Sequence, residues 1–146
     1  TAENDHSFLY TTCILGWLAT AFVLIFNVFV YFDTRDTLNY LSAYEPDDSY
    51  YSYYNYYNEP VYYENLMTAA MLNGAISIIL IAGMVMIWKL QKTGFFLFAS
   101  SALIMIGIPV FLTGLERDYS QMLFGLAMVY SIIFIPLFYF NIRKLR

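Results

Sequence analysis

Residues Phe8 to Phe32 read FLYTTCILGWLATAFVLIFNVFVYF, without one Asp, Glu, Lys or Arg. A helix rises about 1.5 Å per residue, so this stretch alone exceeds the roughly 30 Å hydrocarbon core of a bilayer. Three more stretches share its character: Leu66–Trp88, Gly94–Leu115 and Tyr119–Ile142. None of them carries a charged side chain either. The sequence therefore predicts an all-α membrane protein, a four-transmembrane-helix bundle forming a single domain over residues 1–146.

Composition agrees. Hydrophobic residues make up 60% of the chain and charged residues 12%, against about 45–50% and about 25% in soluble domains. The first stretch lacks a basic leader region and is too long for the apolar core of a cleaved signal, so it is expected to be a retained span. The one cysteine, Cys13, lies inside that span and permits no internal disulfide.

Basic residues near span ends set orientation. Lys89 and Lys92 flank the turn between spans two and three, and Arg143, Lys144 and Arg146 follow span four. Only Arg35 and Arg117 lie at the opposite ends. This bias places both termini in the cytoplasm and the segment 33–65 outside. The second and third connections are a few residues long, which makes sequential helices antiparallel neighbours.

The segment 33–65 is expected to be a tyrosine-rich extracytoplasmic loop. Ten of the fifteen tyrosines fall between Tyr40 and Tyr63, and a Tyr-Tyr-polar triplet repeats three times from Tyr50 to Asn58. Glu45-Pro46-Asp47-Asp48 before it has the character of a helix start, with proline suited to the first turn and carboxylates to the positive end of the dipole. In a helix Tyr50, Tyr53, Tyr54 and Tyr57 would share one face; an extended form is also open, since tyrosine favours strands. Tyrosine joins an apolar ring to a hydroxyl. Two readings follow: a flap at the lipid headgroup level, or a contact surface for a partner or ligand. The loop's acidic residues lack calcium-loop spacing, so a solvated acidic rim is expected and no metal site.

Within the spans, polar and small residues fall into stripes. Cys13, Gly16, Thr20 and Asn27 share a face of span one; Ala70, Asn73, Gly74 and Ser77 share a face of span two; Ser100, Gly107 and Gly114 line span three. Such stripes let helix backbones approach closely in lipid. Asn27 and Asn73 fall roughly 10 Å and roughly 6 Å to the outer side of the midplane, near enough in depth to hydrogen-bond across adjacent helices. With Gln121 they form the candidate polar floor of an outward-facing cavity. Pro109 and Pro136 each remove one backbone hydrogen bond from their spans.

Catalytic chemistry is not legible. His6 has no plausible catalytic partner in the sequence, and there is no phosphate loop, zinc spacing or Ser-His-Asp set. No enzyme activity, no cofactor and no nucleic-acid binding are expected. The entry to span three, Lys92-Thr93-Gly94-Phe95-Phe96-Leu97-Phe98, resembles turns in small bacterial four-span proteins. That resemblance implies a bacterial inner membrane and implies no activity. The leading expectation is an accessory or interaction subunit of a membrane complex, or a homo-oligomer, working through its helix seams and Tyr-rich loop. A small-solute transporter or channel built as an oligomer, and an extracytoplasmic ligand sensor, are the alternatives.

Overall fold

The computed structural model describes residues 2–43, 50–115 and 117–142, with side chains for 7–43, 60–115 and 117–142. The described chain is four helices: α1 (Ala2–Ser42), α2 (Tyr50–Trp88), α3 (Lys92–Thr113) and α4 (Asp118–Phe140). All four are long and apolar enough to cross a membrane.

The expected loop over 33–65 is corrected. Residues 33–42 continue α1, and 50–65 are the opening turns of α2. The end of the apolar run is not the end of the helix. Backbone hydrogen bonding is internal to a helix whatever its side chains, so the loss of apolar character at Asp33 does not end it. The residues 45–48 suggested as a helix start lie outside those described.

Length is the consequence. α1 has 41 residues and α2 has 39, against 22 and 23 in α3 and α4. At 1.5 Å per residue the first pair runs about 60 Å and the second pair about 33 Å. Arg117, in the turn between α3 and α4, stacks over Tyr62 and Tyr63 of α2. That contact marks the level at which the short helices stop. Residues 50–61 of α2 reach about 18 Å beyond it.

Buried positions on α1 alternate by three and four residues: Leu9, Cys13, Gly16, Thr20, Val23, Asn27, Val30 and Thr34. The same spacing recurs on α2 at Leu66, Ala70, Asn73, Ser77, Leu80, Met84 and Ile87. A seven-residue repeat of this kind keeps one seam facing its neighbours along the whole helix. On α3 the buried stripe is Phe98, Ala102, Met105, Pro109 and Thr113. The expected Ser100–Gly107–Gly114 seam is not that stripe. Ser100 is exposed and bonds its own helix at Leu97, while Gly114 ends α3 in the left-handed conformation at φ 64°.

Two apolar clusters fill the interior. The larger joins all four helices around Met84, Phe98, Tyr130 and Phe138; the smaller joins Val30, Tyr62, Leu66, Ala70 and Leu123 at the Tyr62 end. The outer surface carries Leu18, Ile25, Phe111 and Phe140, all more than half exposed. The seams meanwhile bury Thr20, Asn27, Asn73, Ser77 and Ser131. Large apolar side chains thus lie outside as well as inside, while small polar groups are buried in the seams, unlike the pattern of a water-soluble domain.

The α2–α3 connection is tight. A Cβ added at Gly94 would lie 2.6–2.7 Å from Met86 Cβ, the Gly83 carbonyl oxygen and the Ile87 nitrogen. The two backbones touch because neither Gly83 nor Gly94 has a side chain there. Gln91 N–H closes the end of α2 on the Met86 carbonyl at 2.9 Å, with Leu90 in the left-handed region at φ 62°.

Candidate functional site

Of the residues singled out from sequence, Asn27 and Asn73 lie in the facing seams of α1 and α2, 2% and 1% exposed. Gln121 is not with them. It sits exposed in the first turn of α4, where its Nε2 donates to the Leu115 carbonyl at 3.1 Å and braces the α3–α4 turn. Tyr50, Tyr53, Tyr54 and Tyr57 fall within helical backbone at the start of α2, but their side chains lie outside those described.

The register of α1 against α2 is set by Gly16. A Cβ there would meet the Met84 sulfur at 2.7 Å, and one at Gly74 would meet Leu24 at 3.8 Å. Eleven residues are just over three helical turns. Stepping eleven up α1 from Gly16 reaches Asn27, and eleven back along α2 from Met84 reaches Asn73. Both therefore stand on the same faces as that contact, at one level. They do not bond each other. Asn27 Nδ2 donates to the Val23 carbonyl of its own helix at 2.8 Å. The Oδ1 atoms of Asn27 and Asn73 are both buried without a hydrogen-bond donor, as is Thr34 Oγ1 one heptad further along α1. In a low-dielectric interior an unpaired acceptor costs about 1–3 kcal/mol.

Sequence reasoning missed the strongest polar link between helices. Thr20 Oγ1 and the Tyr130 hydroxyl lie 2.6 Å apart, joining α1 to α4, and Thr20 also reaches the Gly16 carbonyl at 2.7 Å. The Tyr130 ring packs against Phe98 at 5.9 Å and Phe134 at 4.9 Å. A signal was present: a tyrosine in the middle of an apolar run needs somewhere to place its hydroxyl. Ser131 adds a bond across to α3, at the Ala102 carbonyl, 3.4 Å away.

Aromatic groups collect at both ends of the bundle. Trp88 stacks on Trp17 at 5.2 Å and packs at a tilt against Tyr10 at 4.5 Å. At the other end the Arg117 guanidinium lies 4.9 Å from the Tyr62 ring and 5.9 Å from the Tyr63 ring. The Tyr62 hydroxyl donates to Ser120 Oγ at 3.5 Å, and Asp33 of α1 stands beside Tyr119 of α4. Arg117 thus does more than count toward charge bias: it pins the α3–α4 turn to α2.

Two grooves between helices are apolar and open to the outside of the bundle. One of about 250 Å³ runs between α1 and α2 past Leu24, Val28, Met71 and Gly74; another of about 380 Å³ lies between α1 and α4 at Phe22, Phe26, Gly125 and Val129. The expected polar cavity floored by Asn27, Asn73 and Gln121 is not assembled, because Gln121 faces out. Set against protein-family models, curated proteins and solved structures, the chain matches none.

Proposed function

We propose that this chain is a small integral membrane protein whose four helices cross the bilayer as an antiparallel bundle, and that it works by association. Its contact element is the helical hairpin formed where α1 and α2 outrun α3 and α4. The observation that carries this reading is the length mismatch of 41 and 39 residues against 22 and 23. The headgroup region adds only about 5–8 Å on each side of the hydrocarbon core, so an overhang of about 18 Å clears it. A flap lying along the membrane surface would need α2 to break near residue 65, yet α2 is continuous from Tyr50 to Trp88.

The apolar exterior and polar seams support insertion in lipid, where helices associate through close backbone packing and not through a hydrophobic drive. The bias of five basic residues to two supports cytoplasmic termini and an outward hairpin. Tyrosines at helical spacing on a projecting hairpin suit a protein contact: they supply large, rigid surface at low side-chain entropy. The partner is a membrane-complex subunit or a second copy of the chain.

The test is the mass of the intact assembly. Protein extracted in a gentle detergent should carry a partner or appear as an oligomer. Changing Tyr50, Tyr53, Tyr54 and Tyr57 together to serine should release it to a monomer while the helix content stays unchanged. A wild-type chain that is monomeric and alone under those conditions would remove the reading.

A further inference from the structure

The groove between α1 and α4 runs along one continuous face. It is lined by Phe22 and Phe26 of α1 and by Met122, Gly125, Leu126 and Val129 of α4. At Gly125 no atom lies within 4 Å of where a Cβ would stand, so the missing side chain leaves the groove open. Steps of three and four residues continue the α1 face from Phe22 and Phe26 through Phe29 to Asp33, and the α4 face from Val129 and Met122 back to Tyr119. The two faces meet at the hairpin end, where the Tyr119 hydroxyl bonds the Asp33 carboxylate. An apolar groove thus ends at a carboxylate, and Asp33 is the first charged residue after the apolar run of α1. Eleven residues separate Phe22 from Asp33, about 16 Å along the helix axis. Half of a hydrocarbon core is about 15 Å. The groove and its end therefore match the depth of one leaflet.

Resting on the membrane reading above, we propose that this groove holds one acyl chain of a phospholipid from the hairpin-side leaflet, with an ammonium headgroup against Asp33. A second copy of the chain is the poorer occupant. Three turns of helix, about 10 Å across and about 16 Å long, fill about 1,200 Å³. Even half of that cylinder exceeds the groove, which holds about 380 Å³. The same volume lies within the roughly 300–1,000 Å³ of small-molecule sites. Charge selects the headgroup. Asp33 is partly buried, and Asp118, beside Tyr119, is exposed. Of the basic residues at this end, Arg35 pairs with Asp36 at 3.5 Å, and Arg117 lies over Tyr62 and Tyr63 on α2. A carboxylate that accepts one bond from Tyr119 keeps lone pairs for a further donor. A primary ammonium supplies that donor with the opposite charge, which strengthens the bond. An anionic headgroup is repelled.

Native mass spectrometry of the full chain tests this, with the protein delipidated in detergent and then mixed with phosphatidylethanolamine or phosphatidylglycerol of identical acyl chains. The wild type should retain phosphatidylethanolamine several-fold more than phosphatidylglycerol. Asp33→Asn should abolish that difference, and Gly125→Leu, which fills the groove, should lose the retained lipid. Equal retention of both lipids by the wild type would overturn the proposal, and that comparison needs no variant to fold. Undiminished retention in Gly125→Leu would overturn it in favour of lipid held elsewhere on the surface. Wild-type dimers that Gly125→Leu splits into monomers would overturn it in favour of a second copy. Retention is read on each mass peak separately, so a monomeric, partnerless wild type removes the association proposed above and leaves this comparison standing.

Discussion

Gly94→Ala should destabilise the protein, while Gly125→Ala should not. The two substitutions add the same methyl group to helical glycines. At Gly94 the new Cβ would sit 2.6 Å from Met86 Cβ and 2.7 Å from both the Gly83 oxygen and the Ile87 nitrogen. Two of those atoms are backbone and the third is a Cβ, so no flexible side-chain end can swing aside. The connection between α2 and α3 is three residues long, leaving little slack for the helices to part. Forcing a methyl into such a contact costs about 1–3 kcal/mol. The upper half of that range applies here, since relief requires shifting a whole helix. Alanine's better helix propensity returns up to about 1 kcal/mol, for a net loss of about 1–2 kcal/mol. At Gly125 nothing lies within 4 Å of the added Cβ, and only the propensity gain remains. Reversible unfolding of both variants in one detergent measures the difference. A Gly94→Ala protein as stable as the wild type, or a Gly125→Ala protein that falls as far, would refute the close-packed α2–α3 seam.

Tyr130→Phe and Thr20→Val should each lower stability by about 0.6–2 kcal/mol, and the double variant should lose little more than either alone; full additivity in the cycle would mean that the 2.6 Å contact carries no energy. Arg117→Ala should cost about 1 kcal/mol through loss of its stacking on Tyr62 and Tyr63, and should speed amide exchange across residues 60–63 and 117–123, while Arg117→Lys keeps part of the effect. Cysteines placed at Tyr40 and at Lys92 in a Cys13→Ser background should react with a membrane-impermeant reagent from opposite sides, position 40 from outside intact cells and position 92 only after lysis; labelling of both from one side would dismantle the four-span topology.

The four apolar runs were legible because their signal is compositional and long, so boundary errors of several residues do not erase them. The seams on α1 and α2 were legible too: a stripe such as Cys13, Gly16, Thr20 and Asn27 differs chemically from the Leu, Ile and Phe around it. On α3 the same reasoning failed. There the buried stripe runs through Phe98, Met105 and Pro109, which are as apolar as the exposed face, so hydropathy has no contrast with which to choose a side. The helical overhang was hidden for a related reason. Hydropathy reports side-chain polarity along a segment, and in α1 that polarity changes at Asp33 without any change of backbone. Asn27 and Asn73 stand at one level of the α1–α2 seam, but whether two amides bond depends on rotamers that level does not determine. Gln121 was misplaced because helical phase decides between inside and outside, and one end residue carries no periodic context.

The long helices also bear on how a contact at the hairpin would be felt by the rest of the molecule. α1 and α2 meet along one seam that runs unbroken from Leu9 and Ile87 to Thr34 and Leu66, with glycine contacts fixing its register and the Trp17–Trp88 stack closing its far end. A pair of helices packed in that way resists sliding, since a shift of one residue would misplace every knob. At the hairpin end α2 is tied to α3 and α4 by Arg117, which lies over Tyr62 and Tyr63 from the α3–α4 turn, and by Ser120, which meets the Tyr62 hydroxyl. These contacts lie at the bundle's edge, where a cation–π pair is worth about 0.5–1 kcal/mol. The Thr20–Tyr130 bond and the Phe98–Phe138 packing lie deep in the bundle and hold it together at the other end. A partner that gained a few kcal/mol on the overhang would therefore displace the Arg117 clamp long before it disturbed the core, and the α3–α4 turn is where its binding would first be read.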